Sequence, residues 1–246
     1  MNLALDFGNS RMKAAVFDQG KLVHVETHFN LSMKKAERII RQFHIDASIL
    51  SSVINEGKEI EKLLKKRTRF IKFDSSTPVP INNLYETPKT LGADRLGNLI
   101  GAQAFFPQKN ILVISAGTCI TYDVITAKGN YYGGNITPGL DVRLKSMNTF
   151  TARLPLVKKE MTNELFGRTT AASMLTGAIK GTSLEMKGFI SEYRKKYPAL
   201  KVILTGGDAP YFETMISGIP YRKSKTFAIP HLLLYGLNEI LLSNNA

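Results

Sequence analysis

Only one cysteine occurs in this chain, the four histidines stand at spacings that suit no metal site, and no apolar run approaches the roughly 20 residues a membrane-crossing helix needs. Cys119 cannot form an internal disulfide. Its apolar, glycine-containing neighbourhood predicts a buried structural thiol rather than a nucleophile. His24 and His28 fall in a strand region, where exposed or half-buried structural roles are the default. No charged region followed by an apolar signal core precedes the first strand, so a soluble cytoplasmic protein is expected. Acidic residues are also scarce: 20 Asp and Glu against 33 Lys and Arg leave a formal charge of +13. Such an excess raises nucleic acid, membrane surfaces and anionic small molecules as partners. The basic residues are scattered in short clusters, Lys65-Lys66-Arg67, Lys158-Lys159, Arg194-Lys195-Lys196 and Lys223-Ser224-Lys225, with no aromatic stacking platform. They read mostly as solvated helix faces and loop ends, which disfavours nucleic acid and membrane. A general positive field still favours the approach of nucleotides and carboxylates.

The 246 residues, 43% of them hydrophobic, can bury a real core as one large or two modest domains. Strands and helices alternate throughout, which predicts an α/β protein. Residues 2 to 7, 11 to 17 and 21 to 28 read as a strand meander, 32 to 43 as a helix, 47 to 53 as a strand, 56 to 66 as a helix and 70 to 73 as a short strand. Thr77 to Pro80, with Asn82 and Asn83, break regular structure before a helix over 92 to 106. Tyr131 to Gly139 reads as a strand opening into a glycine-rich loop, followed by a helix through Leu144. Thr170 to Tyr197 reads as one or two long helices, Lys201 to Asp208 as a strand with a glycine turn, and Leu232 to Leu242 as a closing amphipathic helix. A soft boundary near residue 109 gives lobes at 1–109 and 110–246.

Asp6-Phe7-Gly8-Asn9-Ser10-Arg11-Met12-Lys13 ends the first strand with an acid, a glycine, small polar residues and a lysine. Gly8 permits a positive φ and removes the side chain that would hold a phosphate away from backbone amides. Asn9, Ser10 and Lys13 supply donors and charge for phosphate oxygens, and Asp6 is placed to hold magnesium or its water shell. The plain alternative is a hairpin whose turn needs Gly-Asn chemistry. Asn110 to Asp123 repeats the pattern, with Gly117 over Gly8, Thr118 over Asn9 and Cys119 over Ser10. Two copies of one phosphate hairpin can clamp a polyphosphate between two lobes.

Three separated motifs then agree: Asp6-x-Gly8-Asn9-Ser10-x-x-Lys13; Leu91-Gly92-Ala93-Asp94-Arg95 with Asn98; and Gly117-Thr118-x-x-Thr121-x-Asp123, followed by Gly133-Gly134-x-Ile136-x-Pro138-Gly139 and Thr151-Ala152-x-Leu154-Pro155. Together they resemble type III pantothenate kinase. The resemblance runs on through Gly167 to Thr170 and Thr205-Gly206-Gly207, nearly the whole chain. It implies a duplicated ribonuclease H-like fold of the actin-like ATPase superfamily, two lobes with a nucleotide cleft between them, a homodimer, and ATP-dependent phosphorylation of pantothenate at the first step of coenzyme A synthesis.

On that resemblance, Asp6, Gly8, Asn9, Ser10 and Lys13 hold Mg-ATP, and Gly117, Thr118 and Thr121 hold phosphate from the other lobe. Gly206 and Gly207 let backbone approach the adenosine end, though a simple strand-to-helix turn also explains them. Asp94 is the candidate general base for the primary alcohol of pantothenate; a helix N-cap is its structural alternative. Tyr85, Gly92, Asp94, Arg95, Thr151 and Thr170 match the family's pantothenate positions, with Thr149, Thr169 and Thr176 near enough for a shifted reading. Asp123 helps to bind a monovalent cation, K+ or NH4+. Ser10 stands where the family often has Thr, which keeps the hydroxyl, and Cys119 replaces a usual alanine. The competing readings are a non-enzymatic regulatory protein of the same fold serving nucleic acid, and a kinase for another small hydroxyl substrate such as a sugar. Retention of Asp6, Asp94 and Asp123 argues against the first, and Leu91 to Arg95 against the second.

Overall fold

The same strand order occurs twice. In the computed structural model, which describes residues 1–8, 11–54, 57–217 and 226–244, the first sheet contains β1 (Asn2–Phe7), β2 (Met12–Asp18), β3 (Lys21–His28), β4 (Ala47–Ser52) and β5 (Arg69–Phe73) in the order β3-β2-β1-β4-β5. The β1 to β3 meander is antiparallel, and β4 and β5 run parallel to β1 through the crossover helices α1 (Met33–Gln42) and α2 (Lys58–Arg67). A two-residue strand, β6 (Asn82–Asn83), and α3 (Ala93–Phe105) follow. The second set is β7 (Ile111–Ala116), β8 (Cys119–Ile125), β9 (Asn130–Pro138), α4 (Leu140–Thr149), α5 (Thr170–Lys196), β10 (Lys201–Thr205), α6 (Ala209–Ser217), β11 (Thr226–Ala228) and α7 (Leu232–Asn244). Its strands lie in the order β9-β8-β7-β10-β11, the first sheet's order over again, with the short β6 added as a sixth strand beside β9.

Each sheet is built around a strand with both faces covered, which is why the central segments read as continuous apolar runs. Leu3, Ala4 and Leu5 in β1 are all fully buried, as are Ile111, Leu112 and Ile114 in β7. Leu3, Leu5 and Phe7 share a core with Ile39 of α1 and Leu64 of α2. Leu112, Ile114 and Tyr122 share one with Ile179 and Met186 of α5 and Phe212 of α6.

Contacts group the chain into two compact units. The first comprises Met1–Pro107, Gly129–Tyr131 and His231–Ala246, and the second Gln108–Lys128 and Tyr132–Pro230. The closing helix α7 therefore groups with the amino-terminal residues, where it packs on α3. A Cβ on Gly236 would lie 1.8 Å from the Gly97 carbonyl oxygen, and one on Gly101 would lie 2.4 Å from that of Leu232. Glycines on both helices let the backbones touch.

Several sequence expectations change. Cys119 is exposed, not buried. It opens β8, where strand periodicity sends Ile120 and Tyr122 into the core and leaves residue 119 on the opposite side. Asn82 and Asn83, read as a break, form a strand by pairing with Asn130 and Tyr131. The glycine-rich stretch at 133–134 stays within β9, and α5 is one continuous helix. The short α6 and β11 carry too little periodicity to be read beforehand. Asn9, Ser10 and Lys223-Ser224-Lys225 lie outside the described residues.

Candidate active site

In the first unit, Asp6 and Lys13 are paired directly across the β1–β2 hairpin, and Ser51 of β4 is the parallel neighbour of Asp6. Gly8 closes the hairpin by donating its N–H to the Arg11 carbonyl at 3.0 Å. Burial raises the Asp6 carboxyl to about pH 6, Lys13 opposes the rise, and Asp94 adds to it. Asp6 and Asp94 therefore repel each other at neutral pH, although they come from different elements.

Asp94 is exposed in the first turn of α3, and its Oδ1 accepts the Arg95 N–H at 2.9 Å. The N-cap is Gly92, which makes no side-chain cap, so the structural alternative for Asp94 does not hold at the cap position itself. Gly92 serves Asp94 in another way. A Cβ there would lie 2.5 Å from Asp94 Oδ1, so glycine leaves room for this carboxylate conformation. Arg95 is buried, with its guanidinium 5.6 Å above the Tyr85 ring, and Tyr85 stacks on Tyr131 at 6.0 Å and 7°. Thus Gly92, Asp94, Arg95 and Tyr85 form one connected group.

His231 was given no role by the sequence. It precedes α7 with φ +60°, its ring Nδ1 is buried without a hydrogen-bond partner, and burial and then Lys13 lower its pKa. The imidazole is therefore held neutral near the lysine. The strand histidines are structural, since Glu26 accepts from His24 at 2.8 Å and from His28 at 2.9 Å.

In the second unit, Ser115 pairs with Thr121 across the β7–β8 hairpin. Counting from the aligned glycines, Ser115 corresponds to Asp6, and its partner across the hairpin, Thr121, takes the place that Lys13 has opposite Asp6, so this hairpin offers hydroxyls where the first offers charges. Gly117 donates its N–H to the Cys119 carbonyl at 3.0 Å. The turn is tighter than the first, and neighbouring backbone packs closely on it. A Cβ on Gly139 would meet the Gly117 oxygen at 2.0 Å, and one on Gly206, at φ +99°, would meet the Ala116 oxygen at 2.2 Å. The Asp208 N–H also donates to Ala116 at 3.0 Å. Gly117, Thr118, Gly206 and Gly207 are thereby gathered around one hairpin.

Asp123 is buried in β8, and a Cβ on Gly134 would lie 2.7 Å from its Oδ1. The two substrate threonines are exposed at opposite ends of an irregular segment. Thr151 donates to the Met147 carbonyl at 2.7 Å, and Thr170 begins α5. Thr169 is occupied as the α5 N-cap, and Thr176 is buried.

Three groups escaped the sequence reading. Glu185 accepts from Tyr122 and Thr137 at 2.8 Å each and from Arg143 at 2.6 Å, tying α5 to β8, β9 and α4. Lys159 bonds both Asp141 and Asp208. Asp208 directly follows the glycine pair, and that adjacency was its available signal.

Among the described residues no cluster of three metal-ligating side chains occurs. The chemistry of Asp6 fits a divalent cation of another kind: a desolvated carboxyl beside a second acid suits magnesium carried largely by water and nucleotide phosphate. In magnesium-free buffer Asp6→Asn is expected to stabilise the protein at pH 7 by roughly 1–2 kcal/mol, allowing for solvent at this partly exposed residue. The sign follows from the raised pKa. The cost of the wild-type carboxylate is absent below the unfolded pKa and grows as pH rises through about 6. Melting curves of the two proteins that stay parallel from about pH 4 to 8 would contradict this.

A family model described as type III pantothenate kinase matches residues 2–192. The chain is 42% identical to the type III pantothenate kinase of Phocaeicola vulgatus and 42% identical to that of Bacteroides fragilis, in each case over 100% of this chain and 99% of the relative. Among solved structures it is similar to a Baf family protein from Campylobacter jejuni, with TM-score 0.60, 21% identity and coverage of 99% and 98% of the two chains. It is also similar to the ROK hexokinase of Thermus thermophilus, with TM-score 0.50, 14% identity and coverage of 98% and 97%. These structural likenesses show the fold alone, a ribonuclease H-like arrangement of two mixed α/β sheets.

Proposed function

From the premise that the chain belongs to the type III pantothenate kinase family, we propose residue roles for the ATP-dependent phosphorylation of pantothenate that this family contributes to coenzyme A synthesis. The primary hydroxyl of pantothenate attacks the γ-phosphorus of ATP. A new O–P bond forms, the bond from the γ-phosphorus to the bridging oxygen breaks, ADP leaves, and Asp94 takes the hydroxyl proton. The observation that carries this reading is the exposed Asp94 carboxylate in the first turn of α3, electrostatically coupled to Asp6 and followed by the buried Arg95.

Asp6 holds magnesium, which neutralises phosphate charge when bound. Lys13, with Gly8, Asn9 and Ser10, receives phosphate oxygens. Gly117, Thr118 and Thr121 supply backbone and hydroxyl donors to phosphate, and Gly206 and Gly207 admit the adenosine end. Tyr85, Gly92, Arg95, Thr151 and Thr170 contact pantothenate, Arg95 through polar groups of the substrate. Asp123 contributes to a site for K+ or NH4+, whose charge would offset a carboxylate that is buried. The working form is a cytoplasmic homodimer. Apolar side chains left exposed at Phe150, Leu165 and Phe166 support association.

The test is purified protein with ATP, magnesium and potassium, offered pantothenate and a panel of sugars. ADP release is expected to depend on pantothenate and not on sugars. Folded protein that releases no ADP with pantothenate would refute the reading.

A further inference from the structure

Residues 150–169 form neither helix nor strand, yet the candidate pantothenate threonines stand at the two ends of this stretch. Its first part is anchored by Leu154 and Val157 against the core and by Asn148, which donates to the Leu154 carbonyl at 2.7 Å. Its end is held where Ser173 donates to the Gly167 carbonyl at 3.2 Å. Between those anchors Leu156, Met161, Leu165 and Phe166 are exposed, so apolar burial does little to hold the middle.

Lys159 lies in that middle. Its ammonium donates to Asp141 Oδ2 at 2.6 Å and to Asp208 Oδ1 at 2.7 Å. Asp141 is in the first turn of α4, and Asp208 follows Gly206 and Gly207, with its N–H bonded to the hairpin residue Ala116. The Asp208 side chain is 9% exposed and that of Asp141 is 64% exposed, so the Asp208 contact is the better shielded from water. Among the described residues, no other side chain between 155 and 166 makes an ion pair.

We propose that Lys159 is a positioning residue, an ionic clasp that fastens the substrate segment 150–169 to the glycine turn at 206–208. The proposal rests on the preceding assignment of these two loops to pantothenate and nucleotide. Partial burial acts against the Lys159 charge, but the two carboxylates outweigh it and raise the lysine pKa, so the clasp stays closed at neutral pH. A nucleotide that steadies the glycine turn then steadies the segment, and the entropy already lost need not be lost again when pantothenate binds.

The readout is the dissociation constant of pantothenate, measured by calorimetry with and without a non-hydrolysable ATP analogue and magnesium. Wild-type protein is expected to bind pantothenate roughly tenfold tighter with the analogue present. Lys159→Met should reduce that factor to about one, Lys159→Arg should restore most of it, and Lys158→Met, at an exposed neighbour without an ion pair, should leave it unchanged. A merely structural lysine would change thermal stability without changing the coupling factor. Wild-type protein without coupling, or Lys159→Met with the wild-type factor, overturns the clasp. Wild-type protein without pantothenate-dependent ADP release instead overturns the functional assignment, which keeps the two failures distinct.

Discussion

Asp94→Asn is expected to lower turnover by about 100- to 10,000-fold, the usual contribution of a positioned proton acceptor, while nucleotide binding stays measurable. The amide keeps the shape of the carboxylate and can still accept the Arg95 N–H, so the first turn of α3 should survive. What disappears is basicity, together with the negative charge that raises the Asp6 pKa. The substitution should therefore also lower the Asp6 pKa, by an amount that NMR titration of the Asp6 carboxyl can read in metal-free protein. Loss of turnover with an unchanged fold and a lowered Asp6 pKa is the expected combination. A variant retaining wild-type turnover would remove Asp94 from the proton-accepting role.

Gly236→Val is expected to destabilise the protein by about 3 kcal/mol or more, at the upper end of overpacking costs. The new Cβ would stand 1.8 Å from the Gly97 carbonyl oxygen and 2.9 Å from the Gly101 nitrogen, and both are backbone atoms with no rotamer to escape into. Helix α7 would have to move away from α3. For a chain of this size the loss corresponds to a fall of roughly 6–12 °C in melting temperature, measurable by circular dichroism. Glycine ordinarily costs a helix interior about 1 kcal/mol relative to alanine. A variant that melts at or above the wild-type temperature would show that the crossing relaxes freely.

Much of the site was legible because turn and strand chemistry is local. Asp6 to Lys13 and Ala116 to Thr121 announce themselves as glycine turns between apolar strands, and both are hairpins with Gly8 and Gly117 closing them. The Leu91 to Arg95 motif likewise marked a helix start. Its internal logic was hidden, because sequence cannot show that Gly92 clears space for the Asp94 carboxylate. Cys119 was misread because an apolar neighbourhood in sequence does not say which side of a strand a residue occupies.

The sequence by itself determined the duplicated α/β pattern, the two glycine hairpins, the acid set and membership of the kinase family. These depend on hydrophobic period, backbone permissiveness and motif order, all properties of neighbouring residues. Tertiary structure decided the rest: the seating of α7 on α3, the repulsion between Asp6 and Asp94, and the bond between Lys159 and Asp208, which are 49 residues apart. Close backbone approach, desolvation and ion pairing depend on distances that exist only once the chain has folded.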